Sequence, residues 1–231
     1  MPQALAGLPA GVHVFVLDAS STDDTVTIAR AAGARVEVRR WYGFVDARRY
    51  ALAQVATPWT LMLDADETLD ATLAAAILAA PGDVDGYRLR RITALCGIPI
   101  RSSGWSNERL IRLFRTERAN VSAHSVAGGA DLHERWTIGG PVGDLPGAIL
   151  HDSYPTLDSY WEKFDRYTTI EANAISGSPL RLAQAALFGS ARILWSLARY
   201  GGWRDGRLGF FVAFASNWYP VVVQWKALRA R

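Results

Sequence analysis

An apolar run that ends in acids, PWTLMLDADETL at residues 58–69, places Asp64, Asp66 and Glu67 at the mouth of what reads as a buried strand. Open α/β sheets bind ligands beyond the carboxyl ends of their strands. Carboxylates gathered there suit Mg²⁺ or Mn²⁺, hard cations that take oxygen ligands and bridge substrate phosphates. Asp64 and Asp66 are two residues apart, so on extended backbone their side chains leave one face, and a turn after Leu63 lets both converge. The plainer alternative is a helix N-terminus, with the acids capping TLDATLAAA and complementing its dipole. Capping alone does not call for three acids at a strand end.

Asp18 closes a second apolar run, VHVFVL, and is expected at the same edge of the sheet as Asp64. Ser21 or Asp23 suits the cap of the following helix, whereas Asp18 suits contact with a base or ribose. Arg112 and Arg115 alternate with apolar residues in RLIRLFR and could meet phosphates, or lie on a solvated face. His151 in ILHDSY is a candidate late metal ligand, against the commoner structural histidine. Trp105 could stack on a sugar ring or simply pack.

These groups need a frame. Strand-like runs at 12–17, 35–38 and 60–63 alternate with helical patterns at 25–34, 44–55 and 70–80, and Gly86–Ile92 reads as a strand with one wet face. The alternation predicts an α/β domain with a mainly parallel sheet. Beyond Pro99 the chain is glycine-punctuated and β-rich, and Thr156–Ala174 turns helical before a Ser-Gly-Ser-Pro hinge at residues 176–179. The expected division is a catalytic domain at 1–155 and a helical, basic extension at 156–231.

With 231 residues, half of them hydrophobic, a sizeable core is available. The single Cys96 excludes an intramolecular disulfide and a cysteine-rich zinc site, which points to a reducing, cytoplasmic setting, and MPQALAGLPAGV lacks the pattern of a secretory signal. From Arg181 onward Asp205 is the only acid among eight basic residues and many aromatics. That balance suits an anionic membrane surface, and no nucleic-acid motif accompanies it. Leu208–Trp225 holds 18 residues without charge. As a helix it would span about 27 Å against a hydrocarbon core of about 30 Å. Asn217, Pro220 and the flanking arginines and tryptophans favour a helix lying in the interface, with a helix pair packed on the catalytic domain or on a second subunit as the alternative.

VLDASSTDDTVTIARAAGARV, WYGFVDARRYALAQVATPWTLMLDADETL, RLIRLFR, DLHER and ILHDSY, in that order, resemble glycosyltransferase family 2, in the branch similar to bacterial lipopolysaccharide-core glucosyltransferases. The resemblance implies a GT-A (Rossmann-like) fold with helices on both faces of the sheet, a nucleotide-diphosphate sugar of the UDP-sugar kind as donor, and a divalent metal. It places Asp18 on the nucleotide base and Arg48 on the diphosphate, although Arg49 stands where similar enzymes carry Asn. Asp64 and Asp66 fall on the DxD motif, the first near the ribose and the second on the metal. Glu134, in DLHER, falls on the general base of an inverting reaction, with His133 placed to orient it. On spacing alone Glu134 could equally pair with Arg135 or Arg109.

Similar enzymes begin with a strand that this sequence does not contain, so the sheet should lack the neighbour that flanks the Asp18 strand and leave an edge able to pair with another chain, as in a homodimer. The implied acceptor is a lipid-linked glycan, and the implied location is the inner face of the cytoplasmic membrane. Two rivals stand beside this reading. One is a HAD-type phosphatase with Asp64 as nucleophile and Asp66 as acid, which needs a later lysine, where the only lysines are Lys163 and Lys226, and an acidic loop whose full pattern PGDVDGY lacks. The other is a non-catalytic membrane-associated remnant of the same fold.

Overall fold

The computed structural model describes residues 1–103, 105, 108–124 and 133–230, with the backbone alone described at Ala123, His124, His133 and Glu134. Gly104, Gly128 and Gly129, expected in turns, lie outside the described residues. The chain divides into two compact units. One lies within residues 1–91, 109–124 and 133–151, and the other within 92–108 and 152–231.

The first unit opens with α1 (Pro2–Ala6), β1 (Phe15–Asp18), α2 (Thr25–Ala31), β2 (Arg35–Val38), α3 (Phe44–Ala53), β3 (Trp59–Leu61), β4 (Glu67–Leu69) and α4 (Ala71–Leu78). There follow β5 (Gly86–Leu95), β6 (Ile98–Pro99), which belongs to the second unit, β7 (Glu108–Arg115), β8 (Ala119–His124), β9 (His133–Ile138), β10 (Val142–Asp144) and β11 (Ile149–Tyr154). β1 and β2 pair in parallel, from Phe15 opposite Arg35 to Asp18 opposite Val38. The larger sheet runs β3-β7-β5-β11-β4, with β10 alongside β5. β8 and β9 form an antiparallel pair of their own.

The α/β class is as expected, but the sheet is mixed, not mainly parallel. β3 runs antiparallel to β7 and β11 antiparallel to β4, while β10 is parallel to β5. Parallel neighbours need a crossover, usually a helix. The β1-α2-β2 unit has one, but among the described residues no α-helix lies between α4 and Tyr154. Strands that follow one another without crossover helices return against each other. Among the described residues β1 pairs with β2 alone, in a two-stranded sheet separate from the one that holds β3, so Asp18 does not share the expected sheet edge with Asp64.

Leu69, Leu73, Tyr87, Leu89, Leu113, Leu145 and Ile149 form the core of this unit. α4 begins at Asp70, whose carboxylate accepts the Leu73 backbone N–H at 2.7 Å. The cap of α4 is therefore Asp70, and Asp64, Asp66 and Glu67 are left for other work.

The second unit contains α5 (Leu157–Asn173), α6 (Pro179–Tyr200) and α7 (Gly206–Arg229). α5 starts with a capping box in which Thr156 and Ser159 exchange side-chain to backbone hydrogen bonds. α7 packs on both α5 and α6. Gly189 of α6 meets α7 so closely that a Cβ there would lie 2.8 Å from the Asn217 carbonyl oxygen. Val212, Ala213, Ala215, Val221, Val223 and Ala227 of α7 are buried. The uncharged Leu208–Trp225 run is thus partly covered by packing inside this unit, with Phe210, Phe214 and Trp225 left exposed. Among the described residues no helix is long and apolar enough to cross a membrane.

Candidate active site

The segment from β3 to β4 carries the acids. After Leu61 the backbone leaves the strand, turns through residues 64–67 and re-enters the sheet at Glu67. This turn separates the two aspartates. Asp64, 27% exposed, is paired with Arg48 of α3 and with Arg112 of β7, whose Nη2 donates to Oδ2 at 3.0 Å. Asp66 is 45% exposed and faces His151 of β11, with Nε2 3.2 Å from Oδ2.

Beneath them Glu67 is fully buried. Its Oε1 accepts from Arg91 at 3.2 Å and from Arg112 at 3.3 Å, and its Oε2 accepts the Asp64 backbone N–H at 3.0 Å. Arg112, only 5% exposed at its side chain, also directs Nη1 at the Met62 sulfur, 2.8 Å away. Arg48 and Arg112 are thus set against Asp64, and Arg91 and Arg112 against Glu67. Guanidiniums are the side chains suited to bidentate contact with phosphate oxygens.

Burial disfavours the charged form of Asp64, but the charges of Arg48 and Arg112 and the hydrogen bonds they donate outweigh it, and the carboxyl titrates below its ordinary value. Burial likewise works against ionised Asp66. The hydrogen bond and charge of His151 overcome both that and the repulsion of Asp64, so Asp66 too is held low. Both acids are carboxylates at neutral pH, but they differ in availability. A carboxylate clamped by two guanidiniums is a poor nucleophile, which speaks against Asp64 in the phosphatase role.

Asp66 and His151 fit a divalent cation as a partial set. Among the described residues no group of three or more His, Cys, Asp or Glu gathers to hold a metal. Mg²⁺ and Mn²⁺ usually take one or two protein ligands and complete their shell with substrate phosphates and water. His151 Nδ1 is buried without a partner among the described residues.

Asp18, at the end of β1, is 4% exposed and accepts the Ser21 N–H at 2.8 Å, which closes the turn after the strand through Ser20, a non-glycine residue at φ 68°. Asp23 accepts the Thr25 N–H at 3.0 Å just ahead of α2, but the N-cap residue of that helix is Asp24, without a side-chain cap hydrogen bond, so neither Ser21 nor Asp23 is the cap that the sequence suggested. Arg49 is turned away from the acids and donates through Nε to the Val121 carbonyl of β8 at 3.0 Å. α3, which carries Arg48, lies against β8 and β9. Glu134 belongs to β9, opposite Ala123. Its side chain and that of His133 lie outside the described residues. Arg109, one candidate partner for Glu134, is paired with Asp144 at 2.9 Å. Trp105, in the second unit, packs on Tyr154 and Tyr160 at ring separations of 5.5 and 6.1 Å.

Sequence reasoning gave Glu67 no role of its own and missed Arg91. Glu67 was visible as the third acid of the run, whereas Arg91 reads as one more outward residue of an alternating strand.

Residues 4–89 match the family described as Glycosyl transferase family 2. Over 99% of its length the chain is 27% identical to the lipopolysaccharide core biosynthesis glycosyltransferase LpsC of Rhizobium meliloti (strain 1021), covering 89% of that protein. An uncharacterised glycosyltransferase of Rickettsia conorii is 43% identical over 26% of the chain and 22% of its own length. The solved structure of S. aureus TarS residues 1–349 aligns with 99% of the chain and 88% of its own at 12% identity and a TM-score of 0.39, a likeness too slight to define the fold. The family match spans the strand end with Asp18, the helix with Arg48 and the acidic turn.

Proposed function

We propose that this chain, a glycosyltransferase with a family 2 domain, moves a sugar from a nucleotide-diphosphate sugar of the UDP-sugar kind to a hydroxyl of a glycolipid or polysaccharide precursor, with inversion at the anomeric carbon. The observation that carries the reading is the division of labour across one turn: Asp64 is clamped by Arg48 and Arg112, while Asp66 faces outward beside His151. In a GT-A arrangement the first acid shapes the donor pocket near the ribose and the second is left for a cation.

Asp18 would accept hydrogen bonds from the nucleotide base. Arg48 would direct its guanidinium at the diphosphate, and Arg112 would hold Asp64 in place while adding positive charge. A Mg²⁺ or Mn²⁺ ion held by Asp66 and His151 would offset the charge that develops on the leaving diphosphate. Glu134 would take the proton from the acceptor hydroxyl as that oxygen attacks the anomeric carbon opposite the leaving group. The acceptor class, a lipopolysaccharide-core or other envelope glycan, is supported by the near full-length similarity to LpsC. In this reading residues 1–155 are catalytic, and residues 156–231 hold the protein on the inner face of the cytoplasmic membrane, as a monomer or a homodimer.

The test is to incubate the purified protein with a panel of nucleotide sugars, with and without Mn²⁺, and follow donor binding and slow donor hydrolysis. Mn²⁺-dependent binding of a UDP-sugar is expected. Phosphomonoesterase activity without nucleotide-sugar binding would overturn the reading, and a product that keeps the donor's anomeric configuration would overturn inversion.

A further inference from the structure

α7 was the segment whose sequence pointed to a membrane; it exposes Phe210, Phe214 and Trp225, but α6 carries the larger exposed apolar face. Leu180, Leu187 and Leu194 recur every seven residues, and Phe188 and Trp195 each follow one residue later. All five are between 56 and 72% exposed. At about 100° per residue the three leucines fall within about 40° of one another, and Phe188 and Trp195 widen the arc to roughly 120°. Gln184 is the only uncharged polar side chain within it. Just beyond its edge, along the length of the helix, stand Arg181, Arg192 and Arg199, all exposed. Past the end of α6, Trp203 is exposed with the Arg204 guanidinium 5.2 Å from its ring centroid.

We infer that this face of α6 binds an anionic phospholipid surface, the helix lying in the plane of the interface. The apolar arc would enter the acyl boundary while the three arginines meet phosphate headgroups, the pattern of an interfacial helix. The charge on the page selects this occupant. No Asp or Glu occurs from Pro179 to Arg204. A second copy laid on the same face would bring guanidiniums together with no acid on α6 to pair them. A nucleic acid would satisfy the arginines but leave the leucines in water. A lipid surface satisfies both. The inference rests on the membrane attachment in the proposed function and on no step of sugar transfer.

Sedimentation of the full chain with vesicles tests it. Binding is expected to vesicles of phosphatidylglycerol and phosphatidylethanolamine, weakened by salt, and to be far weaker with phosphatidylcholine alone. Replacing Arg181, Arg192 and Arg199 together by Gln should raise the Kd about a hundredfold, about a factor of five for each arginine. A Leu187→Glu, Leu194→Glu protein should lose binding to both kinds of vesicle. These side chains are exposed, so far-UV circular dichroism and the unfolding midpoint should match the parent and exclude misfolding as the cause. An Asp66→Ala protein should bind vesicles as the parent does even with transfer abolished, which separates this inference from the catalytic reading. Unchanged vesicle binding by the α6 variants would overturn it. So would equal binding to neutral vesicles, or a lipid-independent dimer that dissociates in the leucine variants.

Discussion

Asp64 and Glu67 are bonded to each other twice across one turn. The Asp64 N–H donates to the Glu67 carboxylate and the Glu67 N–H to the Asp64 carbonyl, both at 3.0 Å. The second acid therefore shapes the backbone that presents the first, and the same carboxylate holds Arg91 and Arg112 from below.

Breaking a fully buried ion pair on one side leaves the partner charge uncompensated, at a cost of about 3–5 kcal/mol. Glu67→Gln keeps an acceptor for the Asp64 N–H but removes the buried negative charge that Arg91 and Arg112 share. It should destabilise the fold by about 3 kcal/mol in urea unfolding and weaken donor binding through the loosened turn. A midpoint within error of the parent would remove Glu67 as the anchor.

The two aspartates should respond differently to truncation. Asp66 is half in solvent, so Asp66→Ala should leave stability within about 0.5 kcal/mol while abolishing the Mn²⁺ dependence of donor binding. Asp64→Ala should lower stability by roughly 2 kcal/mol, because Arg112 loses a carboxylate in a buried setting. Titration calorimetry with Mn²⁺ and a UDP-sugar, beside thermal unfolding, separates the two. Metal-dependent binding that survives in Asp66→Ala would count against Asp66 as ligand.

Asp64 also sets a pH signature. Its carboxyl lies below 3.8 in the folded chain because Arg48 and Arg112 outweigh the penalty of burial. A depressed carboxyl stabilises the fold above its unfolded pKa, and the contribution fades as pH falls through the lower folded value. The stability difference between parent and Asp64→Asn should stay constant from neutral pH down to about 4 and shrink only below that. A difference already gone near pH 6 would contradict the pairing.

Glu134→Gln should lower kcat by about 10²–10⁴ with the KM for donor little changed, as expected for a group that acts on the acceptor proton. Steady-state kinetics with saturating donor measures this. Parent-like turnover would exclude Glu134 as the base.

Much was legible in the chain because it is local. The alternation of apolar runs and helical patterns through residue 80 marked the α/β class. The spacing of Asp64 and Asp66 at a strand end marked the acidic turn, and the order of short motifs pointed to a glycosyltransferase before any geometry was known. Periodicity and neighbouring residue types carry such information without reference to distant parts of the chain.

Pairing across long sequence separations was decided only in three dimensions. Arg112 meets Asp64 across 48 residues, and His151 meets Asp66 across 85. The sheet is mixed because its later strands lack crossover helices, which a list of strands does not reveal. The tail divides in the same way: composition announced a basic, aromatic segment, but packing chose which helix is covered. α7 buries Val212, Ala215, Val221 and Val223, while Leu180, Leu187 and Leu194 of α6 stay in solvent, because burial depends on what lies opposite a residue as well as on its type.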